Sequence, residues 1–151
     1  MVGLAKTLVV TGALGTAAMT VPHAAGDQPI TLRFTAHTTH ERLVDRGRSG
    51  LSVGDVRMSG GRLVGADGRR LGSFGATCVV VDVGRAAALQ CDGYAALPAG
   101  QVAYVGEVVP GKRVQVAAIT GGTGDYVDAR GQLSITRVKA KVARVTMSIL
   151  E

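Results

Sequence analysis

Aromatic side chains are scarce in this chain of 151 residues: they make up 3% of it, and tryptophan is absent. Lysine and arginine outnumber aspartate and glutamate by 17 to 11, which gives a formal net charge of +6. A basic protein can attract nucleic acid, but binding of single strands also uses aromatic faces on which bases stack. Because the basic residues are scattered and stacking residues are lacking, we expect a solvated basic surface and no nucleic-acid partner.

The sequence also lacks the short motifs of several common catalytic sites. It has no Gly-x-Ser-x-Gly elbow, which argues against a serine hydrolase. His37 and His40 lack the His-Glu-x-x-His pattern of helical zinc sites, and on a strand they would point to opposite faces. The glycine-rich residues 120–131 are not followed by Gly-Lys-Ser/Thr, which disfavours a phosphate-binding loop. We therefore expect neither a metal nor a cofactor.

No long hydrophobic run follows the first 25 residues. Before that point, Lys6 precedes an apolar stretch at residues 7–21, and small residues follow it. This order predicts a secretory signal peptide at residues 1–25, because the apolar run is short for a membrane-spanning helix. We expect cleavage near Ala25, a secreted single domain of residues 26–151, and no stable membrane insertion after cleavage. A retained N-terminal anchor is the alternative.

Short runs with period-two alternation fill the rest of the chain. Leu32, Phe34 and Ala36 share one face of the first run, and Val102 and Tyr104 share one face of a later run. Such alternation is typical of half-buried strands, and turns rich in glycine or proline separate most of the runs. Only the connection at residues 39–54 is long. Eight strands are predicted, at residues 30–38, 55–65, 70–83, 86–96, 100–109, 113–119, 131–138 and 143–150.

The order of these strands predicts their arrangement. Short connections favour antiparallel neighbours, and eight such strands can close into a barrel that leaves no exposed edge. The predicted fold is an all-β, eight-stranded antiparallel up-and-down β-barrel, with a β-sandwich as the alternative. A barrel of this size can hold one small ligand. We expect an apolar ligand, contacted by the inward-facing side chains of Leu32, Phe34, Val102 and Tyr104.

The two cysteines, Cys78 and Cys91, lie on the third and fourth predicted strands. If residues 84 and 85 form a two-residue turn, counting outward from it places Cys78 opposite Cys91 as a non-hydrogen-bonded pair, in which side chains come closest. Such a pair can close a disulfide, and an exported protein folds where disulfides form. We expect a Cys78–Cys91 bridge, with two free buried thiols as the alternative.

The glycine-rich turn at residues 120–131 carries the most specific resemblance to a known family. Its glycines can adopt backbone angles that are costly for residues with a Cβ, so a strand can end sharply there. The turn resembles that of the allene oxide cyclase and dirigent barrels, and further similar segments extend the resemblance over about residues 34–150. These segments are residues 54–55, 67–72, 75–81 and 97–102.

The resemblance implies a fold, a chemical theme and an assembly. Family members are eight-stranded antiparallel barrels, often homotrimeric, that bind an apolar ligand in the barrel mouth or cavity. The plant cyclases close a fatty-acid-derived epoxide into a cyclopentenone, and dirigent proteins steer the coupling or cyclisation of a reactive intermediate. Neither needs a metal or an organic cofactor, because each holds the intermediate in a near-attack geometry.

The resemblance also directs attention to particular residues. Plant cyclases carry a carboxylate near the first strand, and Glu41 is the nearest glutamate in this sequence, followed by Asp45. We expect Glu41, Asp45 and Tyr104 to form the catalytic set. Cys78 lies where plant cyclases have an active-site cysteine, but a disulfide would remove that thiol from chemistry.

Three functional classes fit these observations. The first is an exported cyclase or isomerase that acts on an apolar, oxygenated metabolite. The second is a non-catalytic barrel that binds a hydrophobic ligand or guides a reaction as dirigent proteins do. The third is a purely structural exported protein. An inward-facing carboxylate beside a cavity would favour the first class, a cavity lined only by aliphatic side chains the second, and a filled interior the third.

Overall fold

All eight predicted strands are present in the computed structural model, which describes residues 29–150. The predicted signal peptide lies outside these described residues. In the part of the chain that is described, no helix is long and apolar enough to span a membrane. The strands are β1 (Ile30–Val44), β2 (Val56–Val64), β3 (Arg70–Asp82), β4 (Ala88–Leu97), β5 (Gly100–Val108), β6 (Val114–Gly122), β7 (Arg130–Lys139) and β8 (Val142–Leu150).

The strands form one closed barrel in which each strand pairs with its sequence neighbours. Every pairing is antiparallel, and β8 returns to β1 with a register that runs from Ile30 opposite Ile149 to His37 opposite Val142. The closure leaves no strand with an unpaired side, which is the usual benefit of a barrel. The predicted up-and-down barrel is therefore confirmed, and the sandwich alternative is excluded.

The first strand is longer than its sequence pattern predicts. We expected it to end at residue 38, but β1 continues to Val44 and pairs with β2 as far as Val56. A bulge between Thr38 and His40 shifts the register. Because a bulge adds one residue to one strand, it reverses the inward and outward alternation. The second half of β1 therefore does not continue the apolar pattern of the first half.

The connection between β3 and β4 also differs from its prediction, although the cysteine pairing is confirmed. The predicted two-residue turn is wrong, since β3 ends at Asp82 and β4 begins at Ala88. A register shift between Val80 and Asp82 compensates for this difference. Beyond the shift, Cys78 lies opposite Cys91, and the two form a disulfide with their Cα atoms 4.0 Å apart.

The two ends of the barrel are filled differently. At the end where residues 123–129 join β6 to β7, Ala129 is buried and Tyr126 and Leu97 pack against the main core. Gly124 has a φ of 63°, and a Cβ there would lie 2.3 Å from the carbonyl oxygen of Ala99. We call this the closed end. The opposite, open end carries the connections at residues 45–55, 83–87, 109–113 and 140–141.

A fully buried aspartate organises the β1–β2 connection at the open end. The Asp55 carboxylate accepts hydrogen bonds from the backbone N–H groups of Arg46 and Ser52, both at 2.8 Å, and from the Ser52 hydroxyl at 3.1 Å. The Asp55 backbone carbonyl also accepts from the N–H of Val80, which ties the connection to β3. The N–H donors, chiefly that of Arg46, hold the pKa of Asp55 below its ordinary value of 3.8.

We predict that Asp55→Asn lowers the urea midpoint of unfolding at pH 7, because the amide replaces an ionised acceptor of several N–H donors. A pKa that is lower in the folded state adds stability above about pH 3.8, and this stability is lost as the pH falls through the folded-state pKa. The difference between wild type and variant should therefore narrow in acid. Asp67→Asn, at an exposed turn where the carboxylate accepts one N–H at 3.0 Å, is the control. A difference that stays constant from pH 7 to pH 3 would contradict the prediction.

We predict that Cys78→Ser lowers the free energy of unfolding by about 2–3 kcal/mol, because the bridge closes a short loop of the unfolded chain. Urea denaturation with and without reductant measures this loss, and reductant should not affect the variant. Ligand affinity should change less than stability. Labelling of both thiols in native, unreduced protein would contradict the bridge.

Candidate functional site

A cavity of about 450 Å³ occupies the barrel interior and opens at the open end. This volume lies in the range of small-molecule sites, which are usually concave and mostly apolar. The wall of the cavity is built by inward-facing side chains from all eight strands. Its apolar members include Phe34, Ala36, Leu63, Phe74, Ala76, Ala95, Leu133, Val145 and Met147.

Three of the predicted site residues meet at this cavity. Phe34 and Tyr104 belong to its wall, and Glu41 lies in the wall nearer the open end. The bulge in β1 accounts for the position of Glu41, because it brings residue 41 opposite Ser59, which also lines the cavity. The contacts of these residues with a ligand stay predictions.

The other three predicted residues lie elsewhere. Val102 is fully buried and pairs with Gly122 next to the closed end. Leu32 packs against the main core without lining the cavity. Asp45 is exposed at the start of the β1–β2 connection and accepts a hydrogen bond from the N–H of Gly47 at 3.2 Å. Alternation identifies inward residues but not their depth in the barrel.

Tyr104 owes its position to a glycine on the neighbouring strand. The pairing of β4 with β5 places Gly93 opposite Tyr104. A Cβ on Gly93 would lie 2.5 Å from the Tyr104 hydroxyl oxygen and 2.7 Å from the carbonyl oxygen of Gly75. Only glycine therefore leaves room for the ring, which is 9% exposed.

The buried phenol of Tyr104 is a hydrogen-bond donor rather than a base. Burial, together with the nearby charges of Asp92 and Tyr94, raises the pKa of Tyr104 to about 12. Tyr104 therefore stays protonated at neutral pH. A protonated phenol on an apolar cavity wall can donate to an oxygen atom of a bound molecule.

An ion pair stands at the open end of the cavity. The guanidinium of Arg57 on β2 contacts the carboxylate of Glu41, and both side chains are partly exposed. Arg57 lies opposite Cys78 on β3, so the ion pair and the disulfide are neighbours in the barrel wall. The carboxylate of Glu41 is thus oriented by a cation of this chain.

The β5–β6 connection lies at the same opening and is held there by hydrogen bonds with Gln115 and Arg137. The amide nitrogen of Gln115 donates to the carbonyl oxygens of Val109, at 2.8 Å, and Lys112, at 3.1 Å. Its amide oxygen accepts from the N–H of Val109 at 3.2 Å. Arg137 on β7 donates to the carbonyl oxygen of Gly111 at 3.4 Å. Gln115 is a site residue that sequence reasoning missed, because nothing in its local pattern shows that it faces inward.

Sequence reasoning also missed the charge of the opening. Six basic residues line the cavity or its mouth, so part of the basic charge is gathered there as well as spread over the outer wall. They come from two strands, β2 and β7, and from two connections, which is why they look scattered in the sequence. They are Arg57, Lys112, Arg113, Arg137, Lys139 and Lys141. Within residues 29–150 no group of three His, Cys, Asp or Glu side chains could hold a metal ion.

A closed eight-stranded barrel with an apolar cavity defines the class of this protein. Residues 30–149 match the family described as the allene oxide cyclase barrel like domain, which is more than half of the chain. The chain therefore belongs to that family. No curated protein sequence matches it significantly.

Solved structures with the same fold come from proteins of several kinds. The chain is similar to a pyocyanin demethylase (24% identity, TM-score 0.74), covering 80% of this chain and 99% of that one. It is also similar to the Diels-Alderase AbmU from Streptomyces koyangensis (18%, TM-score 0.68), covering 80% and 64%. A pterocarpan synthase dirigent protein is a third (18%, TM-score 0.63), covering 80% and 82%. At these identities the similarity shows the fold alone.

We predict that one of the three tyrosines ionises near pH 12 in the folded protein, and that Tyr104→Phe removes this step. Absorbance at the phenolate band measures the titration, while circular dichroism shows that the barrel stays folded. Tyr94→Phe, on the exposed outer wall, is the control. It removes one minor cause of the shift but should retain a raised step, because burial is the largest cause. A step near pH 12 that persists in Tyr104→Phe would show that the buried phenol is not its source.

Proposed function

We propose that this protein is an exported barrel that binds an apolar, oxygenated small molecule in its cavity and promotes cyclisation or isomerisation of that molecule. One observation carries the proposal: the protonated hydroxyl of Tyr104 and the carboxylate of Glu41 border the same apolar cavity. A structural barrel would not need such an opening. The likeness to a Diels-Alderase and a dirigent protein supports the proposal, since their names describe ring formation or its guidance.

The proposed mechanism combines confinement of the substrate in the cavity with one hydrogen-bond donor, the hydroxyl of Tyr104. Side chains such as Phe34, Leu133 and Met147 exclude water and hold a flexible substrate in a folded conformation, in which the reacting atoms approach each other. Tyr104 donates a hydrogen bond to a carbonyl or epoxide oxygen on which negative charge develops. In an apolar site such a donor stabilises charge more than it would in water. Ring closure then proceeds without gain or loss of atoms.

Glu41 has a positioning role in this scheme. Its carboxylate is paired with Arg57 and lies nearer the open end, so it orients the polar end of a substrate or the Arg57 guanidinium. This pairing also favours a second candidate function, in which the barrel guides a reactive intermediate without transferring a proton, as a dirigent protein would. The two functions differ in whether the protein raises the rate or only selects the product.

The proposal also includes secretion of the protein and its assembly into a homotrimer. The Cys78–Cys91 disulfide is compatible with folding in an oxidising compartment, which supports a secreted protein. The signal peptide that ends near Ala25 stays a prediction from the sequence. A homotrimer is the assembly expected from the family. Apolar side chains exposed on the outer wall, such as Met58 and Val79, are compatible with contacts between copies.

We predict that Tyr104→Phe lowers the rate of cyclisation roughly 10²-fold, which is the usual effect of removing one aimed hydrogen-bond donor. Glu41→Gln should change turnover or affinity by a smaller factor, and neither variant should unfold the barrel. The assay uses a panel of synthetic apolar dienes and allylic epoxides, and it measures the rate and the stereochemical excess of cyclised product. Tyr94→Phe on the outer wall is the matched control and should behave as wild type.

The outcomes separate the two functions. A rate that falls in Tyr104→Phe supports catalysis. A stereochemical excess without any acceleration, unchanged in both variants, supports the passive guide. If the wild-type protein neither binds nor alters any member of the panel, both functions are wrong for this class of ligand.

A further inference from the structure

The opening of the cavity is lined by charges of mostly one sign. Among the described residues, Glu41 is the one acidic residue in the lining, against six basic residues, and it is already paired with Arg57. Arg137 is engaged with the carbonyl oxygen of Gly111. Four basic residues remain, and within residues 29–150 they form no ion pair. They are Lys112, Arg113, Lys139 and Lys141.

These four residues converge because two hairpin connections lie side by side. Lys112 and Arg113 belong to the β5–β6 connection, Lys139 ends β7, and Lys141 lies in the β7–β8 turn. A hydrogen bond of 2.9 Å from the N–H of Arg137 on β7 to the carbonyl oxygen of Arg113 ties the β5–β6 connection to the strand that leads into the β7–β8 turn. The cations therefore come from adjacent segments of one rim, not from separate faces of the barrel.

Lys141 is held in a backbone conformation that is unusual for a residue with a Cβ. Lys141 has a φ of 60°. Among the described residues, it is the one residue other than glycine whose φ is positive. Glycine or asparagine is favoured in that conformation, and residues held in it cluster at functional sites. The turn is fixed from outside by a hydrogen bond of 2.9 Å from the N–H of Thr38 to the carbonyl oxygen of Lys141.

We propose that the ligand of this barrel is an amphipathic anion, whose apolar body fills the cavity and whose carboxylate, or a comparable acidic group, is held at the rim by Lys112, Lys139 and Lys141. This inference rests on the proposed function, because it takes the same cavity as the ligand site. The cations and the apolar wall border one concavity, so a single small molecule can contact both. A larger polyanion would reach the cations but not the wall.

The anion fixes the direction in which the molecule enters. Its acidic end stays at the rim, where the lysine ammonium groups are hydrated. Its apolar end points toward the closed end. The reactive oxygen of the substrate is then separated from the acid by the distance from the rim to Tyr104. Charge at the rim thus selects orientation, and the buried phenol acts on a neutral part of the molecule.

The test compares three probes that share one apolar body: 2-naphthoate, 2-naphthamide and 2-naphthylmethylammonium. We expect the carboxylate to bind at least about tenfold more tightly than the amide at low salt, since charge-assisted hydrogen bonds are stronger than neutral ones. The ammonium probe should bind most weakly. Calorimetry measures each affinity, and the advantage of the carboxylate should shrink in 0.5 M salt because salt screens exposed charges.

The matched variants remove two positive charges each. Lys139→Gln with Lys141→Gln removes them from the rim, and Arg33→Gln with Arg144→Gln removes them from the exposed outer wall. The rim variant should lose most of the preference for the carboxylate but keep its affinity for the amide. The outer-wall variant should resemble wild type. Acetate should not displace 2-naphthoate, because it lacks the body that occupies the cavity.

Four other binding results would contradict the anion site, and each would do so for a different reason. Equal affinity for carboxylate and amide in the wild type would overturn the anion site while leaving the cavity as a ligand site. Equal losses in the two double variants would show that overall charge, not the rim, attracts the probe. Displacement by acetate at the same concentration as 2-naphthoate would show that the apolar body adds no affinity, so the cavity would not hold it. If none of the probes binds, the proposed ligand cavity fails together with the anion site.

Discussion

The pairing of β1 with both β2 and β8 is the contact on which the rest of the structure depends. It closes the sheet, so every strand has two hydrogen-bonded neighbours and alternate residues face a common interior. It also brings together positions that are far apart in the sequence. Thr38 hydrogen-bonds to Lys141, and Glu41 and Lys141 border one cavity. Without closure the apolar wall and the basic rim would be unrelated parts of an open sheet.

The disulfide compensates for weak packing at the open end. The main core contains Phe34, Leu133 and Met147, whereas the interior beside β3 and β4 near the opening holds only a small cluster around Val80, Leu89 and Cys91. A cavity removes the contacts that side chains would otherwise make across the barrel. The bridge joins β3 to β4 next to an irregular connection and a register shift. The disulfide thus fixes the register of β3 against β4 at the place where side-chain packing contributes least to it.

The sequence predicts the strands and their closure better than the site. Strand-like segments, several of them with clear alternation, predicted all eight strands. Counting from an assumed turn paired Cys78 with Cys91 although that turn was too short, because a bulge offset the difference. A bulge is also the reason that the sequence pattern did not predict the second half of β1. The bulge lies before Glu41 and reverses the alternation of inward and outward residues. Val102 and Tyr104 face inward on one strand, yet only Tyr104 lines the cavity, because depth depends on the stagger of all eight strands. The basic rim is set by the pairing of β6 with β7, which places two hairpin connections side by side, and it has no local signal.

In the proposed function, the reaction and the recognition of the ligand take place at different depths of the barrel, because the local dielectric differs between the buried wall and the hydrated rim. The phenol of Tyr104 is buried against Gly93, where a hydrogen bond is strong and an ionised group is costly. The cations stand at the hydrated rim, where they need no buried partner. A charged residue at the depth of Tyr104 would need a counter-ion that the apolar wall does not provide. The glycine on β4 is therefore as necessary to the site as the tyrosine on β5, because the space that it leaves places a neutral donor where no charge is stable.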